Sequence, residues 1–371
     1  MSTSAARSRL SLVVSPETEE ALERRALPTL FGGGSRQSAL LSTALRNTVR
    51  PFISVWSRVP LLPWPYFVVD YAGLLTRPVR GTTYQRVDLP HCKAELLRTP
   101  QTEDRVVVYL HGGAFVVGGR FLHRSLMSRI ADGTRSTVMA VGYRQLPQHP
   151  VSASVADGLD AYRHVLDSGV PASKVMIMGD SAGGYLTFQV ALAAAEAGLP
   201  MPAGLVAMSP LIDFDGTAKL AADSASSCAV FPRNCFDGLS RVVLRAARRA
   251  GESHALPDAP SRAELRGLPQ SLIQVSSAEI VHPDAESMAA ALTAAGVDCE
   301  LQVWDHQVHV FQAAAGWLPE ADQALEEICS FADEVIPEGP WALQALVSST
   351  TVLRSVRDER HRAVTCPGGC G

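Results

Sequence analysis

The chain has 371 residues, of which 47% are hydrophobic and 19% charged, and its formal net charge is −4. This is the composition of a globular protein with a sizeable core, and the absence of a basic excess predicts no nucleic-acid partner. Seven cysteines, an odd number spread along the chain, favour reduced thiols over a disulfide framework. We expect a cytoplasmic protein, because the first residues do not resemble a secretory signal and no run reaches the length of a transmembrane helix.

Residues 1–78 are predicted to form an N-terminal segment that contributes cap helices. A short charged helix is expected at Glu17–Arg25, before three glycines that end it. From Ser38 to Val59 apolar residues recur at helical spacing, and Pro51 should kink or split the helix. Packing of this apolar face on the main domain is the simpler interpretation. Tryptophans and arginines accompany it, so the alternative is contact with a lipid surface through residues 38–75.

Strands and helices alternate between residues 79 and 338, which we predict to be the main domain. Two strands joined by Pro90-His91 predict a hairpin, and the continuous apolar run Arg105–Leu110 predicts a strand buried on both faces. Further strands are predicted at 137–141, 175–178, 204–208, 271–275 and 300–304, and helices at 123–131, 155–167, 182–197, 283–295 and 311–335. The alternation predicts an α/β protein with a doubly wound, mostly parallel sheet.

Two segments interrupt this alternation. Residues 212–268 hold polar loops and one basic helix, near 235–250, which predicts a cap insertion over the C-terminal edge of the sheet. Residues 339–371 are predicted to be a partly ordered tail. The tail contains Cys366 and Cys370, whose spacing is compatible with a metal site. We predict no metal, because no second cysteine pair or histidine cluster completes four ligands.

The most informative stretch is Gly179-Asp-Ser-Ala-Gly183, between a predicted strand and a predicted helix. It fits G-x-S-x-G, a motif that places a serine on a strained corner with its Oγ above the sheet. The two glycines leave room where any Cβ would collide, and the helix that follows points free N–H groups at the serine. Ser181 is therefore the predicted nucleophile, and Asp180 is expected to hydrogen-bond around the turn.

A serine nucleophile needs a base that takes its proton and an acid that orients the base. His309 is the predicted base, because it lies just past the last strand between apolar neighbours that can fix its ring; His306 is its competitor. Glu279, just past the strand at 271–275, is the predicted acid. Asp284 is the alternative, although the helix dipole alone explains a carboxylate in a first helical turn.

The stretch His111-Gly-Gly-Ala-Phe115 follows the buried strand and supplies the remaining part of such a site. Backbone N–H groups of Gly112, Gly113 and Ala182 are predicted to form the oxyanion hole, since glycines let the main chain approach a substrate closely. His111 is expected to shape this loop by hydrogen bonding. The two motifs together, 70 residues apart, are far more specific than either alone.

At these residues the chain resembles the hormone-sensitive-lipase-like family of α/β-hydrolases, which comprises bacterial carboxylesterases and lipases. The resemblance spans about residues 80–335, and the segment before it is similar to actinobacterial members. It is carried by His111-Gly-Gly-Ala-Phe, Tyr143-Arg with His149-Pro, Gly179-Asp-Ser-Ala-Gly-Gly, Ser209-Pro-Leu-Ile-Asp213, and the segment from Ala295-Gly-Val to His309-Val-Phe. Two departures stand out: Ala114 replaces the usual third glycine, and Glu279-Ile-Val replaces the usual Asp-Pro-Leu.

The resemblance implies an α/β-hydrolase fold with a helical cap. It also implies a serine carboxylic-ester hydrolase that acts on short- to medium-chain acyl esters through a Ser-His-Glu triad and an acyl-enzyme, without metal or cofactor. The expected partner is a small-molecule ester or lipid substrate, and the oligomeric state is not indicated. The alternatives are an amidase or acyltransferase with the same triad, or a non-catalytic small-molecule-binding protein on the same fold; the latter is disfavoured because nucleophile and base are both present.

Overall fold

A computed structural model describes residues 27–71, 73, 76–119, 121–252 and 255–336. The predicted helix at Glu17–Arg25 and the predicted tail at 339–371, with Cys366 and Cys370, lie outside the described residues. All cysteines in the described part of the chain are free thiols.

The centre of the described structure is a nine-stranded sheet. Its strands are β1 (Thr29–Phe31), β2 (Thr83–Asp88), β3 (Lys93–Arg98), β4 (Arg105–Leu110), β5 (Ser136–Gly142), β6 (Val175–Asp180), β7 (Gly204–Met208), β8 (Ser271–Ser276) and β9 (Cys299–Trp304). They lie in the order β1-β9-β8-β7-β6-β4-β5-β3-β2. The pairs β2–β3 and β3–β5 are antiparallel and all other pairs are parallel. The predicted hairpin and mostly parallel sheet are thereby confirmed.

Helices cover both faces of this sheet, because the side chains of each central strand point alternately to two apolar layers. In β4, Val106 and Val108 belong to one buried cluster, and Val107 and Tyr109 belong to the other. The helices are α1 (Arg36–Asn47), α2 (Val49–Arg58), α3 (Phe67–Tyr71), α4 (Arg124–Gly133), α5 (Val151–Asp167), α6 (Ala182–Glu196), α7 (Thr217–Ala221), α8 (Ser224–Ser227), α9 (Cys235–Arg249), α10 (His282–Ala294) and α11 (Pro319–Val335). Helices α5, α6 and α10 contribute to the first cluster, and α4 and α11 to the second.

The N-terminal helical pattern is split, as predicted, but the break lies at Thr48 rather than at the proline. Pro51 falls in the first turn of α2, where its missing N–H has no helical partner to lose. A short strand, β1, precedes these helices and pairs in parallel with β9. No pattern in the sequence predicts this strand.

The predicted final helix at 311–335 is wrong in its first part. A single 3-10 turn at Phe311–Ala314 is followed by α11, which begins only at Pro319. Gly316 has φ of 86° between them, a left-handed conformation that favours glycine and ends helical structure. Pro319 then occupies the first turn of α11, a position that suits proline.

Helices α1–α3 and residues 212–268 are here called the cap, and within it α2 packs on α9. The Arg241 guanidinium donates to the Ser57 carbonyl oxygen, and the Asn234 side chain donates to that of Ser54 at 3.2 Å. A Cβ added at Gly238 would stand 2.8 Å from Ser57 Cα, so α2 and α9 cross at a glycine. No helix among the described residues has the length and apolar composition needed to span a membrane.

Candidate active site

Ser181 occupies the tight turn between β6 and α6. Its backbone adopts φ 53° and ψ −115°, a strained conformation for a residue with a side chain, and its N–H donates to the Met208 carbonyl at 2.9 Å. A Cβ at Gly183 would overlap the Leu110 carbonyl oxygen, and one at Gly179 would overlap the Gly183 carbonyl. These contacts confirm the predicted need for both glycines at the turn.

The structure brings the three predicted triad side chains together. His309 Nε2 lies 2.8 Å from Ser181 Oγ, and His309 Nδ1 lies 2.5 Å from Glu279 Oε2. The side chains of His309 and Glu279 are 7% and 1% exposed. A proton on Nδ1 that is donated to the carboxylate leaves Nε2 as the acceptor facing the serine hydroxyl. This arrangement can remove the Ser181 proton.

Glu279 is fixed on its second oxygen by two further donors. Ser209 Oγ donates to Glu279 Oε1 at 2.8 Å, and the Ser276 N–H donates to the same oxygen at 2.7 Å. Ser209 Oγ also accepts the N–H of Val310 at 3.1 Å. The buried Ser209 hydroxyl therefore links the Glu279 side chain to Val310, the residue that follows His309.

The two competing residues lie elsewhere. Asp284 Oδ1 pairs with Lys219 Nζ at 2.7 Å, and Oδ2 accepts the N–H groups of Ile212 and Asp213 at 2.7 and 3.1 Å. Burial raises the pKa of Asp284 more than Lys219 and these donors lower it. His306 is 76% exposed and faces Asp305 at 3.5 Å. The structure brings neither residue into the serine–histidine pair.

The predicted oxyanion role of Gly112 is wrong, because its N–H is donated to Asp180 Oδ1 at 3.0 Å. The next three residues, Gly113 to Phe115, all have positive φ (118°, 52° and 61°), so the chain turns sharply after this bond. Within the described chain, the N–H groups of Gly113, Ala114 and Ala182 have no hydrogen-bond acceptor. Consecutive free N–H groups on such a turn, beside a helix N-terminus, suit a developing negative charge.

A family model of the alpha/beta hydrolase fold matches residues 107–313. The chain is 38% identical over 294 residues to the esterase LipU of Mycobacterium tuberculosis, an alignment that covers 77% of this chain and 98% of LipU. The chain belongs to the α/β-hydrolase family. It is also 35% identical over 307 residues to the carboxylesterase/phospholipase LipF of the same organism, covering 81% of this chain and 82% of LipF.

Solved structures place this α/β-hydrolase among the hormone-sensitive-lipase-like members, as its motifs predicted. An esterase from the bacterial hormone-sensitive lipase family superimposes with a TM-score of 0.70 at 30% identity, covering 82% of this chain and 100% of that one. An esterase/lipase from an uncultured bacterium superimposes with a TM-score of 0.71 at 30% identity, covering 81% and 98%.

Beneath the oxyanion loop (residues 111–115) of this hydrolase lies a buried ion pair of Asp180 and His123, which was not predicted from the sequence. Asp180 accepts from Tyr109 Oη at 2.7 Å, and its second oxygen lies 3.3 Å from His123 Nε2. Burial raises the pKa of Asp180, but the His123 charge and hydrogen bonds lower it further, so the net shift is downward. Burial lowers the pKa of His123, but Asp180, the Gly119 carbonyl and Asp70 together raise it by more, so the net shift is upward. The predicted hydrogen bonding of Asp180 around the turn is confirmed.

His111 shapes the same loop from its other side, as predicted. Its Nδ1–H donates to the Gly112 carbonyl at 2.8 Å, and its Nε2 accepts from the Gln145 amide at 3.2 Å. The ring stacks on Tyr143 with centroids 4.3 Å apart. Burial first, and the charge of His123 second, lower the pKa of His111 to about 4. It is therefore neutral at pH 7.

Two other residues at the site were not identified as functional from the sequence. Ser209 belongs to a motif that carried the family resemblance, but nothing in the motif marks its hydroxyl as the partner of a carboxylate. Phe231, from the cap, lies edge-on to the His309 ring with centroids 4.7 Å apart. Its segment has no periodic pattern, so no sequence signal was present.

One group with metal-ligand spacing occurs in the described part of the chain: His91, Asp157 and Asp160. Asp157 binds the Arg144 guanidinium with both oxygens, at 2.7 to 3.0 Å. His91 Nδ1 lies 2.8 Å from Asp160. These contacts account for the group without an ion.

Proposed function

We propose that the chain hydrolyses carboxylic esters through Ser181, His309 and Glu279, with a covalent acyl-enzyme intermediate. The observation that carries this proposal is the unbroken hydrogen-bond line from Ser181 Oγ through the His309 ring to Glu279, at 2.8 and 2.5 Å. Its support from relatives is that LipU and LipF are named an esterase and a carboxylesterase/phospholipase.

In the first half of the reaction, His309 Nε2 takes the proton from Ser181 as its Oγ attacks the ester carbonyl carbon. The Glu279 carboxylate stabilises the imidazolium that forms and holds its Nδ1–H. The free N–H groups of Gly113, Ala114 and Ala182 receive the oxyanion, and each such donor is worth about 10²–10³ in rate. When the tetrahedral intermediate collapses, His309 gives its proton to the leaving alcohol.

In the second half, His309 takes a proton from water, whose oxygen attacks the acyl carbon. The same N–H groups hold the second oxyanion, and the released Ser181 recovers its proton from the imidazolium. We extend the proposal to short- to medium-chain acyl groups, because the cap places the Phe231 ring against His309 and so occupies space above the base.

Hydrolysis of p-nitrophenyl esters from acetate to palmitate tests the proposal. We expect wild type to cleave acetate, butyrate and octanoate faster than palmitate, and Ser181→Ala to lose activity while retaining its thermal transition. Ser152→Ala, which changes an exposed serine on α5, is the matched control. The acyl-enzyme predicts a mass increase of one acyl group on wild type, but not on Ser181→Ala, after a rapid acid quench.

Full activity in Ser181→Ala would overturn the assignment of Ser181 as the nucleophile. Addition of an alcohol or an amine distinguishes hydrolysis from acyl transfer. If the transferred ester or amide exceeds the free acid among the products, acyl transfer rather than hydrolysis is the main reaction.

A further inference from the structure

The cap carries an exposed apolar stripe along α2 and the turn after it. Its members are between 41% and 56% exposed: Phe52, Val55, Val59, Leu61 and Leu62. Trp56 on the same helix is buried in the core, so α2 is apolar on its packed side and on its solvent side as well. A soluble surface rarely groups large apolar side chains in this way unless they meet a partner.

A row of arginines borders this stripe. Arg241, Arg245, Arg248 and Arg249 of α9, together with Leu61 and Leu244, line an open groove of about 380 Å³. Among the described residues, Arg241 donates to the main-chain carbonyls of Ser57 and Asp237, and Arg248 donates to that of Leu244. No carboxylate among the described residues forms an ion pair with any of the four. In a chain with a net charge of −4, this is a local excess of positive charge.

We propose that this surface, formed by Phe52–Leu62 and Arg241–Arg249, docks the protein on anionic phospholipid bilayers. Apolar side chains of an interfacial helix enter the boundary between headgroups and acyl chains. Arginine guanidinium groups at the rim bind phosphate through paired hydrogen bonds and attract the negative surface. Apolar insertion alone or charge attraction alone gives weak membrane binding, whereas here the two lie on adjoining helices and act together.

The charges favour a lipid surface over a second copy of the chain. A two-fold dimer through this face would place the patch of one subunit on the same patch of the other. Such a contact sets close to each other two arginine rows that have no ion-pair partner within the described ranges. An anionic bilayer supplies the opposite charge to all four arginines, and its apolar layer accepts the Phe52–Leu62 stripe.

The docking surface belongs to the same part of the chain that covers the proposed base. Phe231, which contacts the His309 ring, lies only four residues before the start of α9. Helix α1 reaches the same region, because the Arg46 guanidinium donates to the Ser227 carbonyl at 2.5 Å. A docked molecule would therefore hold its cap, rather than the opposite side of its sheet, against the lipid.

Co-sedimentation with vesicles tests the proposal, with the full chain carrying Ser181→Ala so that no lipid is hydrolysed. We expect binding to vesicles of phosphatidylcholine mixed with phosphatidylglycerol, weaker binding to phosphatidylcholine alone, and release at high salt. The added change Arg248→Gln with Arg249→Gln should lower the partition constant about 25-fold, about fivefold for each arginine. Phe52→Ser with Leu62→Ser should lower it as well. The charge-matched control is Arg86→Gln with Arg163→Gln, two exposed arginines outside the cap.

The proposal is overturned if the docking variants bind as tightly as the parent, if binding does not depend on anionic lipid, or if the control pair weakens it equally. Sedimentation velocity tests the alternative of a dimer. If the parent protein is a dimer that the docking variants dissociate, and vesicle binding is not lost, the surface would be assigned to contact with a second copy of the chain. Each docking variant on the wild-type background should hydrolyse soluble p-nitrophenyl acetate normally. Failure of docking is thereby distinguished from failure of the esterase proposal.

Discussion

Replacement of Glu279 by glutamine separates the proposed acid from its rival. The Oε1 position accepts from both Ser209 and Ser276, so it must keep the amide oxygen. The amide NH₂ is then forced to face His309 Nδ1, which can accept its hydrogen bond only when unprotonated. The imidazole proton moves to Nε2, where it points at Ser181 and prevents proton removal.

The expected loss in kcat is about 10⁴-fold, the size seen when a triad carboxylate is replaced by its amide, or roughly 5.5 kcal/mol of transition-state stabilisation. The matched change is Asp284→Asn. Because Asp284 neutralises Lys219, which is fully buried, its loss should lower the free energy of unfolding by about 3 kcal/mol. The kcat of the folded fraction should stay within a few-fold of wild type.

Steady-state kinetics with p-nitrophenyl butyrate and urea unfolding, both at pH 7.5, measure the two effects. A Glu279→Gln enzyme within tenfold of wild-type kcat would refute the assignment of the acid. The same holds for an Asp284→Asn enzyme that folds normally but loses its activity.

Three further predictions concern the supports of the site. Ser209→Ala removes a hydrogen bond to the ionised Glu279, so we expect the free energy of unfolding to fall by about 2–3 kcal/mol and kcat to fall about tenfold with KM unchanged. Asp180→Asn leaves His123 without its buried counter-charge, so urea unfolding should show a loss of about 3 kcal/mol, with a lower kcat because the oxyanion loop is held less firmly. The folded pKa of His111, about 4, lies below its ordinary value of about 6.5, so the native state excludes a proton that the unfolded chain binds. The free energy of unfolding is therefore unaffected by this group above pH 6.5 and falls as the pH drops from 6.5 towards 4, by about 3 kcal/mol in total. His111→Gln should remove that part of the pH dependence of stability.

Each of these has a control or a result that would contradict it. Ser224 is buried and its hydroxyl makes no hydrogen bond in the described structure, so Ser224→Ala should cost far less than Ser209→Ala. Equal losses of unfolding free energy in the two variants would argue against a stabilising hydrogen bond from Ser209 to Glu279. An Asp180→Asn protein as stable as wild type would argue against the ion pair. An unchanged pH dependence in His111→Gln would argue against the low pKa of that ring.

The central strands could be predicted from sequence because both of their faces are buried. The runs at 105–110 and 204–208 are continuous and apolar, and β4 and β7 coincide with them. Strand β1 has three residues, of which two are exposed, and its partner lies about 270 residues away. No local pattern encodes such a pairing. The break before α11 did have a signal in the sequence, because Gly316 suits a left-handed turn and Pro319 suits the first turn of a helix.

At the site, residue identity and topology predicted the positions of Ser181, His309 and Glu279 and the need for glycines at the serine turn. They could not predict the direction of a single peptide N–H. Gly112 and Gly113 are the same residue type, yet the first N–H is donated to Asp180 and the second is free. That difference depends on φ values and on a carboxylate 68 residues later, neither of which a motif records.

The pairing of β1 with β9 has a consequence for the order in which the molecule is completed during synthesis. The first strand leaves the ribosome about 270 residues before the strand that receives it, an interval of roughly 15 to 55 s at bacterial and eukaryotic elongation speeds. Ser35, at the start of α1, likewise waits for Glu320, to which its hydroxyl donates at 3.0 Å. Throughout that interval Trp56 and the apolar face of α2 have no finished protein to pack on. Strand β1 and the start of α1 can therefore reach their final contacts only after the last strand and the beginning of α11 have been made.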